Sequence, residues 1–186
     1  IGGKLTNYRI LSIHITDMVL DQLKRRQAAT FDAAKIGPPC TDKIMLGNWD
    51  NHSDYLTSSA QISSRGRKLG LDPATIDHIT ATFGKDALTV LDIAEANPSL
   101  VERICPDFPP ILAEIPFVVE NEMALSLEDI LSRRIRLGFV HQGQCMAAAP
   151  KVAEIVANIA GWDAGRINIE LGHLEASLMS QLAPAH

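Results

Sequence analysis

The residue types best suited to chemistry open the chain: Ile1-Gly2-Gly3-Lys4-Leu5-Thr6-Asn7-Tyr8-Arg9. Two glycines let a backbone approach a ligand closely. The helix that the pattern starts here offers free N–H groups at its N-terminus, and these favour negative charge. Lys4 adds a mobile cation and Thr6 a hydroxyl donor. A flavin's pyrimidine edge, which gathers negative charge near N1 and O2 on reduction, is a ligand of this kind, and a phosphorylated substrate is a second target for Lys4. The same nine residues also describe a plain glycine turn running into a helix, and short glycine motifs recur by chance. The chain opens without methionine, in the middle of what reads as a cofactor-facing element, so the expectation is the C-terminal piece of a larger enzyme.

A second constellation runs from Glu122 through Glu128 and Asp129 to Arg133, Arg134 and Arg136. Asp129 and Arg133 stand four apart and pair on a helix. Arg134 falls near the apolar face and needs a partner if buried. The cluster reads either as a phosphate contact or, more simply, as a salt-bridged helix that locks two elements together. The six histidines, at 14, 52, 78, 141, 173 and 186, show neither HxH nor HExxH spacing, so no metal site is expected. His141 and Cys145 are four apart, but Gln142-Gly143-Gln144 separates them and no third partner is evident, which favours an inert cysteine over a nucleophile. Leu71 to Ile76 and Phe83 to Asp86 form a helix–glycine turn–helix, a remote match to helix-hairpin-helix DNA modules.

The elements that position these groups read as helices almost throughout. Tyr8, Leu11, Ile15, Met18, Val19 and Leu23 make an apolar stripe on one long helix from Leu5 to about Gln27. A loop rich in turn formers spans about Ile36 to Ser53, long enough to imply a covering or partner-contact role. Asp54 is expected to begin the second helix, which stops at Gly70. Asp72-Pro73 caps the third, with Ile76, Ile79 and Phe83 inward and Gly84 closing it. Asp86 opens the next, with Ala87, Val90, Leu91 and Ala94 inward, up to Asn97-Pro98. Residues 111–120 combine strand-like β-branching with helical context, and the spacing favours a helix that Pro116 interrupts. Ser126 and Asp129 have capping-box spacing for a helix to about Phe139. Met146 to Ala160 is the next helix, closed by Gly161. Asp163 caps the last, whose seam is Ile167, Leu171, Leu174, Leu178 and Leu182.

The chain has 186 residues, 46% hydrophobic and 21% charged, which suits a folded domain with a real core. A net charge of -5 with no basic tract argues against nucleic acid as a partner. Two small clusters, Lys24-Arg25-Arg26 and Arg65, Arg67 and Lys68, read as solvated helix ends. Cys40, Cys105 and Cys145 form no CxxC pair, so neither a zinc ribbon nor a disulfide framework is indicated, and a reducing cytoplasm fits.

In order along the chain, four stretches resemble the FAD-dependent glycerol-3-phosphate dehydrogenase and oxidase family. Gly2-Gly3-Lys4-Leu5-Thr6-Asn7-Tyr8-Arg9 is similar to its Gly-Gly-Lys-x-Thr-Thr-Tyr-Arg. Pro39-Cys40-Thr41 with Leu46-Gly47 is similar to its Cys-x-Thr…Leu-x-Gly loop. Glu122-Met123-Ala124, then Leu127 to Leu131 and Arg133-Arg134, resemble its glutamate–alanine and Asp-x-Leu-x-Arg-Arg helix. Ala149 to Ile155 with Gly161-Trp162 resembles its penultimate helix. The departures are Asn7 in place of a second threonine, Pro116 in a stretch expected to be helical, and the loop from Asp42 to Asn51.

The resemblance implies an all-α fold, an irregular bundle of about seven or eight helices that caps a larger flavoenzyme. That enzyme would oxidise sn-glycerol 3-phosphate to dihydroxyacetone phosphate by hydride transfer to FAD. It implies that residues 1–9 end the FAD-binding region and 10–186 form the C-terminal helical domain. Gly3, Lys4, Leu5 and Thr6 would line the ring edge of the FAD, with Lys4 also the catalytic candidate within reach of substrate. The chain carries no GxGxxG behind a strand, so the ADP half of FAD would be held by an upstream domain of the same polypeptide, and this piece alone is expected to be inactive and free of FAD. A cytoplasmic enzyme is implied, with peripheral contact to the inner membrane left open for its other parts. The alternative from a different class is an autonomous helical domain that binds a protein partner without catalysis.

Overall fold

A computed structural model describes residues 4–26, 32, 35–45 and 47–182, with the backbone alone for Gln181 and Leu182. Gly2 and Gly3 of the opening motif, Gln27, Leu46 of the loop motif and the Leu182 side chain of the last seam lie outside the described residues. The chain divides into two compact units, residues 1–45 and 46–186. Eight α-helices account for most of the described residues: α1 (Tyr8–Arg25), α2 (His52–Lys68), α3 (Pro73–Phe83), α4 (Ala87–Ala96), α5 (Glu114–Asn121), α6 (Leu137–Val140), α7 (Gln142–Ala160) and α8 (Ala164–Leu182). Among the described residues the only β-type pairing is an isolated bridge between Arg103 and Ile111. The fold is all-α, as the 3.6-residue periodicity predicts.

In the first unit a single 3-10 turn, Leu5–Asn7, runs into α1. None of the residues of α1 is fully buried. The stripe expected to be its inner face is largely exposed, at Tyr8, Ile15, Met18 and Val19. Leu11 and Leu23 of the stripe are half-buried, and so are Ile13 and Leu20, about opposite to it at 100° per residue.

The second unit holds the core. Asn51 caps α2, its Oδ1 accepting the Asp54 N–H at 3.0 Å, while the Asp54 carboxylate accepts the Asp50 N–H at 2.9 Å. The helix therefore starts two residues before Asp54, which serves in the cap and not as the first residue. Arg65, expected to be a solvated helix-end cation, bridges α2 to α4 through Asp92 at 2.6 Å and Glu95 at 2.8 Å. Asp72 caps α3 through the Ala74 and Thr75 N–H groups, with Pro73 in the first turn. The Thr75 hydroxyl, together with Arg103 at 2.8 Å, brings the Asp72 carboxyl down to about 2. Ile76, Ile79 and Phe83 are buried, and so are Ala87, Val90, Leu91 and Ala94 of α4.

Between α3 and α4 the chain passes Gly84 at φ 60°, ψ -130°. A Cβ here would lie 2.4 Å from the Gly47 carbonyl oxygen. That carbonyl accepts the Lys85 N–H at 2.8 Å, and the Lys85 ammonium reaches Asp50 at 3.0 Å and Asp54 at 2.9 Å. The second half of the loop is thus fastened over the α3–α4 junction. Gly84→Ala is expected to destabilise the protein by about 3 kcal/mol, because backbone strain and a backbone clash combine at one position. A urea titration with an unchanged midpoint would contradict this.

Two expectations fail in the middle of the chain. Pro116 does not interrupt a helix: α5 begins at Glu114, so the proline falls in the first turn, where its missing N–H has no intrahelical acceptor to lose. The helix expected from Ser126 to Phe139 is not continuous. It starts as the spacing predicts, with Ser126 Oγ accepting the Asp129 N–H at 3.1 Å and Asp129 accepting the Leu125 N–H at 3.2 Å. The ladder then slips to a π-helix over Asp129–Arg134, closed by the Ile135 N–H to the Ile130 carbonyl at 2.8 Å. Arg136 takes a left-handed conformation at φ 63°, and α6 follows. Leu127 gives its N–H to the buried Glu170 carboxylate of α8 at 2.9 Å, a cap from 43 residues away.

His141 caps α7 with Nδ1, accepting the Gln144 N–H at 3.2 Å, so α7 starts four residues ahead of the expected Met146. Gly161, at φ 69°, closes it. Asp163 caps α8 through the Arg166 N–H at 2.7 Å. Leu174 and Leu178 are buried on the expected seam, with Ile167 and Leu171 half-buried.

Candidate functional site

Lys4, Leu5 and Thr6 are all exposed, with Leu5 88% accessible. Lys4 is extended, φ -64° and ψ 141°, and its carbonyl accepts the Asn7 N–H at 2.9 Å. Helical bonding begins with that contact, so the N–H groups of Leu5 and Thr6 precede it and have no acceptor among the described residues. The Lys4 ammonium makes no ion pair among the described residues. The geometry presents two open amides, a hydroxyl and a mobile cation on one short turn. That set can hold negative charge on a planar ring edge or a phosphate.

The same unit carries a cavity of about 210 Å3, between Arg9, Ser12, Thr16 and Leu20 of α1 and Pro39 and Thr41 of the following segment. The spacing of Ile13, Thr16 and Leu20 was the signal for it, masked by the stronger stripe on the other face. Cys40, between two of the lining residues, is exposed.

In the second unit Arg133 and Arg134 of the arginine cluster are paired. Arg133 bonds Asp129 and, at 2.9 Å, Glu128, while Arg134 reaches the Glu122 carboxylate at 3.1 Å and the Glu122 carbonyl at 2.8 Å. The Arg134 contacts tie the π-helix to the end of α5, in line with the locking role, while those of Arg133 stay within its own turn. His141 and Cys145 do not form a catalytic pair: the ring nitrogen of His141 is used as the helix cap, Cys145 is fully buried, and burial pushes its thiol up to about 11. The glycine turn at Gly84 gives the Lys85 N–H to Gly47, so that amide is not free to hold a DNA phosphate.

One polar pair was invisible in the sequence. Glu114 is fully buried, and its carboxylate accepts the Ile111 N–H at 2.9 Å and faces His78 Nε2 at 3.0 Å, across 36 residues. Among the described residues no group of three or more His, Cys, Asp or Glu side chains is arranged to hold a metal ion. Among them, too, no helix is long and apolar enough to cross a membrane.

Residues 39–167 match the family model described as the C-terminal domain of alpha-glycerophosphate oxidase. Glycerol-3-phosphate dehydrogenase 2 of Mycobacterium tuberculosis (strain ATCC 25618 / H37Rv) is 30% identical over 187 residues, covering 98% of this chain and 30% of that protein. The mitochondrial glycerol-3-phosphate dehydrogenase of Bos taurus is 30% identical over 174 residues, 91% of this chain and 22% of its own length. Glycerol-3-phosphate dehydrogenase of Synechocystis sp. is 29% identical over 163 residues, 87% of this chain and 27% of its own. The chain therefore spans 30% or less of each of these relatives.

Proposed function

Given that the chain belongs to the family of alpha-glycerophosphate oxidase C-terminal domains, we propose that it is the C-terminal part of an FAD-dependent glycerol-3-phosphate dehydrogenase. Residues 1–9 close the FAD-binding region and residues 10–186 follow as the helical cap. FAD, held mainly by an upstream domain of the same polypeptide, supplies the hydride acceptor as glycerol 3-phosphate becomes dihydroxyacetone phosphate. The Leu5 and Thr6 amides and the Thr6 hydroxyl hold charge at the ring edge, Gly3 lets the backbone approach, and Lys4 neutralises charge on the ring or the substrate phosphate. The enzyme works in the cytoplasm, with any membrane contact made by its other parts.

The observation that carries this reading is the open turn at Lys4–Thr6, where the Leu5 and Thr6 amides have no acceptor among the described residues and the side chains are exposed. A second observation supports the upstream partner. The exposed stripe of Tyr8, Ile15, Met18 and Val19 is an apolar face suited to a second lobe.

The expected result for the purified chain is no catalytic activity and no flavin absorption band at about 450 nm, a wavelength set by the cofactor's own chemistry. Joined to its upstream domain, the same chain should show the band at one flavin per polypeptide. A stoichiometric band from the chain alone would overturn the division of labour.

A further inference from the structure

We infer that the cleft between the end of α3, the Phe108–Pro110 turn and the π-helix is a binding site for a phosphate monoester dianion. The cleft encloses about 520 Å3, and His78, Thr82, Glu122, Arg133, Arg134 and Arg136 contribute its polar wall. That volume falls in the range of small-molecule sites. The site stands independently of the flavin reading, since every group in it lies in the second unit.

The backbone is shaped to gather these cations. On a regular helix Arg133, Arg134 and Arg136 would spread in three directions at 100° per residue. The π-helix over Asp129–Arg134 and the left-handed Arg136, at φ 63°, place all three on one cleft instead. Left-handed backbone is unfavourable for any residue with a Cβ, and such conformations and π-turns recur at functional sites. A glycine would relieve the strain at position 136, yet the chain keeps arginine there.

Donors remain for a ligand. A guanidinium has five N–H groups. Arg133 uses two nitrogens, on Asp129 and Glu128, which leaves Nε. Arg134 uses Nε and Nη2 on Glu122, which leaves Nη1. Arg136 makes no side-chain hydrogen bond or ion pair among the described residues. Glu128 and Asp129 do not line the cleft, and they fix the Arg133 fork from outside it. The Glu122 carboxylate does line it, but is engaged by Arg134. Buried Glu114 orients the His78 ring at the wall, with Thr82 Oγ1 3.4 Å from Nδ1. Forked donors arriving from several directions suit a tetrahedral dianion. Pro109 and Pro110 give an apolar side for a short carbon substituent.

The test titrates inorganic phosphate into the full chain at constant ionic strength, with chloride as the balancing ion, and follows the melting temperature. A saturable rise is expected with phosphate and not with chloride. Arg136→Gly relieves the left-handed backbone while removing the cation, so it should fold as well as the parent and bind phosphate at least 10-fold more weakly. Arg67→Ala, on the exposed side of α2, should leave binding unchanged. Absence of a saturable rise, or full binding by Arg136→Gly, would overturn the proposal. Sedimentation with phosphatidylcholine vesicles, with and without phosphatidic acid, then separates two sources of the same chemistry. Retention only with phosphatidic acid identifies a lipid headgroup, and phosphate binding without retention identifies a soluble metabolite.

Discussion

On the proposed function, Lys4→Ala in the full-length enzyme is expected to lower kcat/KM for glycerol 3-phosphate about 100-fold, the scale of losing one preorganised charge-stabilising donor. The ammonium has no protein partner among the described residues, so its removal should leave the fold untouched. The loss should therefore occur at full flavin content and unchanged melting temperature. Lys4→Arg, which keeps the cation but changes its shape, should recover part of the activity. Steady-state kinetics with flavin quantified in the same samples decides the matter, and unchanged kinetics would remove Lys4 from the site.

A large expected effect on stability lies in the other unit. His78→Ala takes away the side-chain partner of a fully buried carboxyl and should cost about 3 kcal/mol. Glu114→Gln should cost less, about 1 kcal/mol, because the amide oxygen still accepts the Ile111 N–H. The ordering is the informative part. If Glu114 were a tolerated accident of packing, the two variants would unfold at the same urea concentration.

What could be read from the sequence was local. Asp72-Pro73, Gly84, Gly161 and Asp163 mark helix ends because capping and positive φ are decided within a few residues. The all-α architecture follows for the same reason. Arg136 could not be found this way, since left-handed backbone is normally announced by glycine or asparagine. Pro116 was misread because its effect depends on where α5 starts, and the chain around Ile111 and Glu114 sets that through tertiary contacts. The stripe on α1 was found, but which face is covered depends on neighbours that periodicity does not contain. Likewise His78 and Glu114 are 36 residues apart and meet only once α3 and α5 are packed. Of the candidate site, Lys4 to Thr6 are singled out by residue types and family likeness alone, while Pro39 and Thr41 read as part of a family-like loop and not as a wall facing α1.

The burial of two of the three thiols has a practical use. Cys105 and Cys145 are shielded, so Cys40 is the single position that a maleimide dye reaches in the native chain. A fluorophore attached there would sit on the segment flanking α1, and its anisotropy would report whether that segment stiffens when the proposed upstream lobe is joined.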